Sequence, residues 1–104
     1  MKKLEIIFYT TESCGNCRAF KFITDDTIKK YNLEETINIT ERNLEKDANA
    51  LADFNFKFHR TIVPGVIFKT DETEILFQGL PLEYKNHLIN YLTEKGMVNS
   101  VHSC

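Results

Sequence analysis

Two cysteines three positions apart, Cys14 and Cys17, stand in the stretch Tyr9-Thr10-Thr11-Glu12-Ser13-Cys14-Gly15-Asn16-Cys17-Arg18. An apolar run, Leu4-Glu5-Ile6-Ile7-Phe8, precedes them and reads as a buried strand, and a segment with helical spacing follows. A thiol at the first turn of a helix faces unpartnered backbone N–H groups and the positive end of the helix dipole, which favour its thiolate. Cys14 is therefore the expected nucleophile. Cys17 lies one turn further on, less exposed and pointing back toward the same end, where it can attack a mixed disulfide formed at Cys14 or close a bond with it. The chemistry predicted is thiol–disulfide exchange. Gly15 and Asn16 are small and let a bulky disulfide approach Cys14, while Arg18 adds positive charge beside the pair.

The rest of the chain must hold that junction in place. Leu4 to Tyr9 form the first strand, mostly apolar as expected when both sheet faces are covered. From Cys17 to about Tyr31, Phe20, Ile23, Thr27 and Tyr31 recur at helical spacing, and Asn32 is a plausible left-handed cap. Thr36 to Thr40 alternates and is rich in β-branched residues, so it reads as a second strand, parallel to the first because a helix separates them. Asn43 is expected to cap a second helix from Leu44 to about Phe58, with Leu44, Ala48, Leu51 and Phe58 on one face and His59 in the left-handed position that closes it. Phe54, Phe56 and Phe58 alternate with polar residues, a strand signal against the helical alanines and leucines before them. Val66 to Phe68 and Glu74 to Phe77 flank a polar turn and predict a hairpin. Pro81 opens a last helix from about Leu82 to Lys95, with Tyr84, Leu88, Tyr91 and Leu92 buried and Gly96 as its stop. The expected order is βαβαββα in one domain spanning 1–96, with 97–104 a loose tail docked at most through Val98 and Val101.

Composition excludes several classes of partner. The chain has 104 residues, one domain's worth, and a net charge of −2 from 13 basic and 15 acidic residues in mixed order, so no basic stripe awaits nucleic acid or anionic lipid. No apolar run approaches the roughly 18 residues of a membrane span. Three cysteines leave one unpaired and do not make a structural disulfide framework, so the chain reads as a cytoplasmic protein with a redox pair. Zinc is the competing use, but only His59, His87, His102 and Cys104 could supplement the pair, and none has the spacing of a zinc motif. No metal and no bound cofactor is expected.

Phe8-Tyr9-Thr10, Cys14-Gly15-Asn16-Cys17-Arg18, Ile62-Val63-Pro64 at the head of a hairpin, and Gly79 after the last strand carry a resemblance, from Leu4 to Lys95, to a glutaredoxin-like protein of the thioredoxin-fold superfamily. It implies an α/β thioredoxin fold: a four-stranded mixed sheet with flanking helices. It implies a cis Pro64 beside the cysteines, with the Val63 backbone free to hydrogen-bond an extended substrate as an added strand. Tyr9, Gly15, Asn16, Val63, Pro64 and Gly79 would then lie on the substrate side, and Cys14, Cys17 and Arg18 would carry the reaction, in a monomer that reduces disulfide-bearing proteins. Reducing equivalents would come from glutathione or from a flavoprotein such as thioredoxin reductase. The chain departs from glutaredoxins where Thr11 replaces a lysine, Ile62 a threonine and Leu80 the second glycine of a pair. It departs from thioredoxins where Phe8 stands in place of a buried acid. The closest functional match is a small glutaredoxin-like protein served by thioredoxin reductase.

Plainer readings stand beside these. The cysteines could be inert core residues, Arg18 could simply be solvated, Tyr9 could be a packing residue with its hydroxyl near the surface, and His59 and His87 could be caps or surface residues. Cys104 reads as an exposed thiol. Beside the oxidoreductase stand a thioredoxin-fold redox sensor or adaptor without turnover and an iron–sulfur cluster bridging two chains through Cys14 and glutathione.

Overall fold

The computed structural model describes residues 3–98. Cys104, His102 and Val101 therefore lie outside the described residues. Seven elements follow in the order β1 (Leu4–Thr10), α1 (Gly15–Lys30), β2 (Ile37–Asn43), α2 (Ala48–Lys57), β3 (Gly65–Lys69), β4 (Glu74–Phe77) and α3 (Pro81–Glu94). The sheet order is β2-β1-β3-β4, with β2 parallel to β1 and the β3–β4 hairpin antiparallel to it. This is the expected βαβαββα sequence in a four-stranded mixed sheet.

Alternation along β1 divides the core into two layers. Leu4, Ile6 and Phe8 pack with Val66 and Phe68 under α1 and α3, against Phe20, Ile28, Tyr84, Leu88, Tyr91 and Leu92. Ile7 and Tyr9 face the other way, toward Leu44, Ala50, Phe54, Phe58 and Ile67. Helices therefore cover both sheet faces, which explains why β1 reads as a nearly continuous apolar run. Met97 and Val98 close the larger layer. Asn32 (φ 57°) and Gly96 (φ 75°) take the left-handed conformation, as the sequence predicts.

Three expectations are corrected around α2. The helix starts at Ala48 because Asp47 caps it, accepting from the Asn49 and Ala50 N–H groups, while Asn43 ends β2 and uses its side chain in a turn to Glu45 N–H. Its buried face is then Ala50 and Phe54, continued by Phe58, and Leu51 is 43% exposed. Phe54 and Phe58, four apart, stack at 5.0 Å, while Phe56 is 87% exposed; Phe54 and Phe56 are helical and Phe58 closes the helix. His59 does not take the left-handed position, since Phe58 is the C-cap, with extended φ and ψ.

Candidate active site

β1 ends at Thr10, a tight turn carries the chain to Cys14, and Cys14 is the N-cap of α1, with the Cys17 N–H donating to its Sγ at 3.0 Å. The two cysteines are joined in a disulfide, with Cα atoms 5.3 Å apart. Cys14 is half-buried, Cys17 is only 4% exposed, and Gly15, Asn16 and Arg18 are exposed around them. A β-carbon on Gly15 would meet nothing within 4 Å, so the approach to Cys14 is open on that side. No acidic residue stands in the first turn of α1, and the positive end of its dipole is left to the sulfur.

The β1–β3 pairing of Tyr9 with Gly65 brings the preceding residue, Pro64, to the same sheet end as Thr10 and the cysteine turn. The Val63–Pro64 peptide is cis. Pro64 is buried, Val63 half-buried and Ile62 exposed. Gln78, just past β4, donates both amide hydrogens across this loop, to the carbonyls of Arg60 at 2.8 Å and Ile62 at 2.9 Å. Gly79 follows where a β-carbon would lie 2.6 Å from Glu83 Oε1 and 2.9 Å from the Phe77 ring, so a larger residue there would have to displace both side chains. Leu80, beside it, is 62% exposed.

Tyr9 is not brought to this site. Its ring is 1% exposed on the α2 side of the sheet, against Phe54 and Phe58, and its hydroxyl accepts from Arg42 at 3.4 Å. Alternation puts it on the face opposite Phe8 and α1. Among the described residues no three His, Cys, Asp or Glu side chains gather to hold a metal ion, and no helix is long and apolar enough to cross a membrane.

No family model matches the chain, and no curated protein does. Solved structures do. A thioredoxin-like protein of Clostridium perfringens is 26% identical over 98% of this chain and 78% of its own, with a TM-score of 0.68. Malaria parasite thioredoxin-2 is 17% identical over 88% of this chain and 82% of its own, with a TM-score of 0.68. Fasciola hepatica thioredoxin is 19% identical over 88% and 80%, with a TM-score of 0.65. The chain is a thioredoxin-fold protein.

Within that fold the structure adds residues to the site that the sequence reading missed. A cleft of about 310 Å³ beside the disulfide is lined by both cysteines together with Thr10, Lys21 and Glu41 among others. Glu41 accepts from the buried Thr10 hydroxyl at 3.0 Å and from the Lys21 ammonium at 2.9 Å. The Lys21 hydrogen bond, helped by Thr10, holds its carboxyl below the usual range. One signal for Glu41 was present in the sequence. The period-two series Ile37, Ile39, Glu41 continues past Thr40, where the strand had been expected to stop.

Proposed function

We propose that the chain is a dithiol–disulfide oxidoreductase that reduces disulfides of other proteins, Cys14 attacking and Cys17 resolving. The observation that carries this reading is the Cys14–Cys17 disulfide set at the start of α1, with a backbone N–H aimed at the sulfur of the less buried partner, Cys14. In the reduced protein the same N–H and the helix dipole favour a Cys14 thiolate. That thiolate attacks one sulfur of a substrate disulfide, forming a mixed disulfide and expelling the other sulfur as a thiolate. Cys17 then attacks Cys14 Sγ, the protein disulfide closes and the second substrate thiol departs. Two electrons pass to the substrate and none are left over. Arg18, exposed on the cleft, adds positive charge to the thiolate's surroundings.

The loop before Pro64, at the same sheet end as the cysteine turn, offers apolar surface to a protein segment. Ile62 and Leu80 are exposed apolar side chains on the two strands of chain that Gln78 ties together, next to Val63 and Pro64. An extended substrate segment laid along the Val63 backbone would meet them. Asn16 and the open space at Gly15 leave room for its passage.

For the electron donor we favour a flavoprotein of the thioredoxin reductase type over glutathione. At the N-terminus of α3, Glu83 already takes the Leu80 N–H at 2.8 Å and brings a negative charge, and Pro81 has no N–H to offer, which disfavours a carboxylate ligand there. Such a system operates in the reducing cytoplasm, and we place the protein there as a monomer. NADPH consumption with a protein disulfide, followed in parallel with thioredoxin reductase and with glutathione plus glutathione reductase, tests both parts. Turnover with the flavoprotein alone is expected. Turnover with glutathione alone would overturn the donor assignment, and turnover with neither, while the pair still cycles chemically, would leave a redox sensor.

A further inference from the structure

Backbone pairing between β3 and β4 ends with Val66 opposite Phe77, and the chain before it, from His59 to Val63, is left without a strand beside it. Val63 packs against the α2-side layer, but Arg60, Thr61 and Ile62 are exposed. Among the described residues the only hydrogen bonds made by this segment come from Gln78 Nε2, to the carbonyls of Arg60 at 2.8 Å and Ile62 at 2.9 Å. Gln78 is itself well anchored. On one side of it the Phe77 ring packs against Phe20 and Tyr84, and on the other Glu83 holds the Leu80 N–H. One amide nitrogen thus draws two carbonyls, two residues apart, toward the end of β4 and does for the loop what a paired strand would do. Neither the N–H nor the carbonyl of Val63 is engaged among the described residues.

We infer that Gln78 is a positioning residue that selects protein disulfides over small ones, by holding Arg60 to Val63 in the shape that receives an extended substrate segment along the Val63 backbone. This deepens the oxidoreductase reading and rests on it. An exposed loop without such a tie has to be ordered when a substrate strand adds to it, and that ordering is subtracted from the binding free energy. Gln78 orders the loop in advance. A small disulfide makes no strand contacts and gains nothing from a fixed loop. The exchange itself is the same for both: the chain's dithiol closes to the Cys14–Cys17 disulfide, the substrate disulfide opens to two thiols, and two electrons and two protons cross. An amide suits the position, because it supplies two donors from one uncharged group. It satisfies both carbonyls without placing a charge beside the exposed apolar Ile62 and Leu80.

Single-turnover oxidation of the reduced full-length chain by excess disulfide tests this without any electron donor. Insulin serves as the protein disulfide, with the quenched chain read by mass, and an aromatic disulfide that releases a coloured thiolate serves as the small one. Gln78→Ala is expected to raise the half-saturating insulin concentration about tenfold. The rate at saturation and the reaction with the aromatic disulfide should keep their wild-type values. Gln78→Met, close to the native side chain in length but without N–H donors, should match Gln78→Ala. A half-saturating concentration in Gln78→Ala that is unchanged from the wild type overturns the assignment. So does a Gln78→Met chain that behaves as the wild type, since the side chain would then only fill space. Equal slowing with both substrates overturns it as well, because disturbed packing near the cysteines would do that. A wild-type chain that insulin oxidises no faster than it oxidises free dithiothreitol overturns the reading of protein-disulfide reduction itself, and the role of Gln78 with it.

Discussion

α1 and α3 lie side by side on one face of the sheet, their N-termini toward the same end, yet they treat charge in opposite ways. The first turn of α1 carries no acidic side chain, and a sulfur occupies the cap. The first turn of α3 is filled by its own chain, with Pro81 at the first position and Glu83 reaching back to the Leu80 N–H. Further along, α3 buries two tyrosines and a histidine in neutral form. Burial pushes the Tyr84 and Tyr91 hydroxyls up and the His87 imidazole down. Both helices have the same dipole. Whether that dipole is available to a reacting anion depends on whether nearby side chains have already satisfied the end of the helix.

The largest expected effect comes from removing the sulfur that caps α1. Cys14→Ser should lower disulfide turnover by about a thousandfold or more, while Cys17 remains alkylatable in the folded protein. Retention of full turnover would end the contrast between the helices. Placing an acid at the open end tests the cause more directly. Asn16→Asp puts a carboxylate in the first turn, competing with the thiolate for the same dipole, and should raise the Cys14 pKa by about one unit. Below that pKa the rate of Cys14 alkylation should then fall about tenfold. The helix itself should gain up to about 0.5 kcal/mol from the same carboxylate, so reactivity and stability move in opposite directions.

Much of this contrast was legible in the chain. The cysteine pair between an apolar strand and a 3.6-period helix, and the Tyr84, Leu88, Tyr91, Leu92 stripe, are local patterns, and local patterns survive folding. Asp47 and Asn43 are both good caps, and choosing between them depends on where β2 stops, which only its pairing with β1 decides. That same pairing hid Glu41. With β2 expected to end at Thr40, nothing placed Glu41 opposite Phe8 or near the cysteines. Tyr9 could have been placed, because strict alternation from Phe8 already sends it to the other face. Its position in a motif implied a site residue, and its period implied a core one; the ring packs with Phe54 and Phe58.

Opening the closed end is the next test. Glu83→Ala frees the Leu80 N–H and should cost about 1 kcal/mol in denaturant unfolding, the usual worth of a helix cap. If Glu83 also shields that end from anions, any glutathione-supported turnover should rise by about two- to fivefold in the same variant. A stability loss without that rise would mean that the cap matters to the fold and not to the choice of donor.

The smallest effect concerns the neutral groups of α3. His87 lies against the rings of Phe68 and Phe77, at 5.3 and 4.8 Å, and its Nε2 is buried with no hydrogen-bond partner among the described residues. Burial lowers its folded-state pKa below the ordinary 6.5, partly offset by Glu94. A base with a depressed pKa binds its proton more readily in the unfolded chain, so the unfolded state is favoured once the pH falls below about 6.5. The penalty is absent at neutral pH and grows through the mildly acidic range until the folded protein can take up the proton too. Replacing the imidazole removes the difference: His87→Leu should lose less stability than the wild type between neutral and mildly acidic pH, read from denaturant midpoints. Equal losses would mean that protonated His87 finds a partner in the folded protein, and α3 would then tolerate charge much as α1 does.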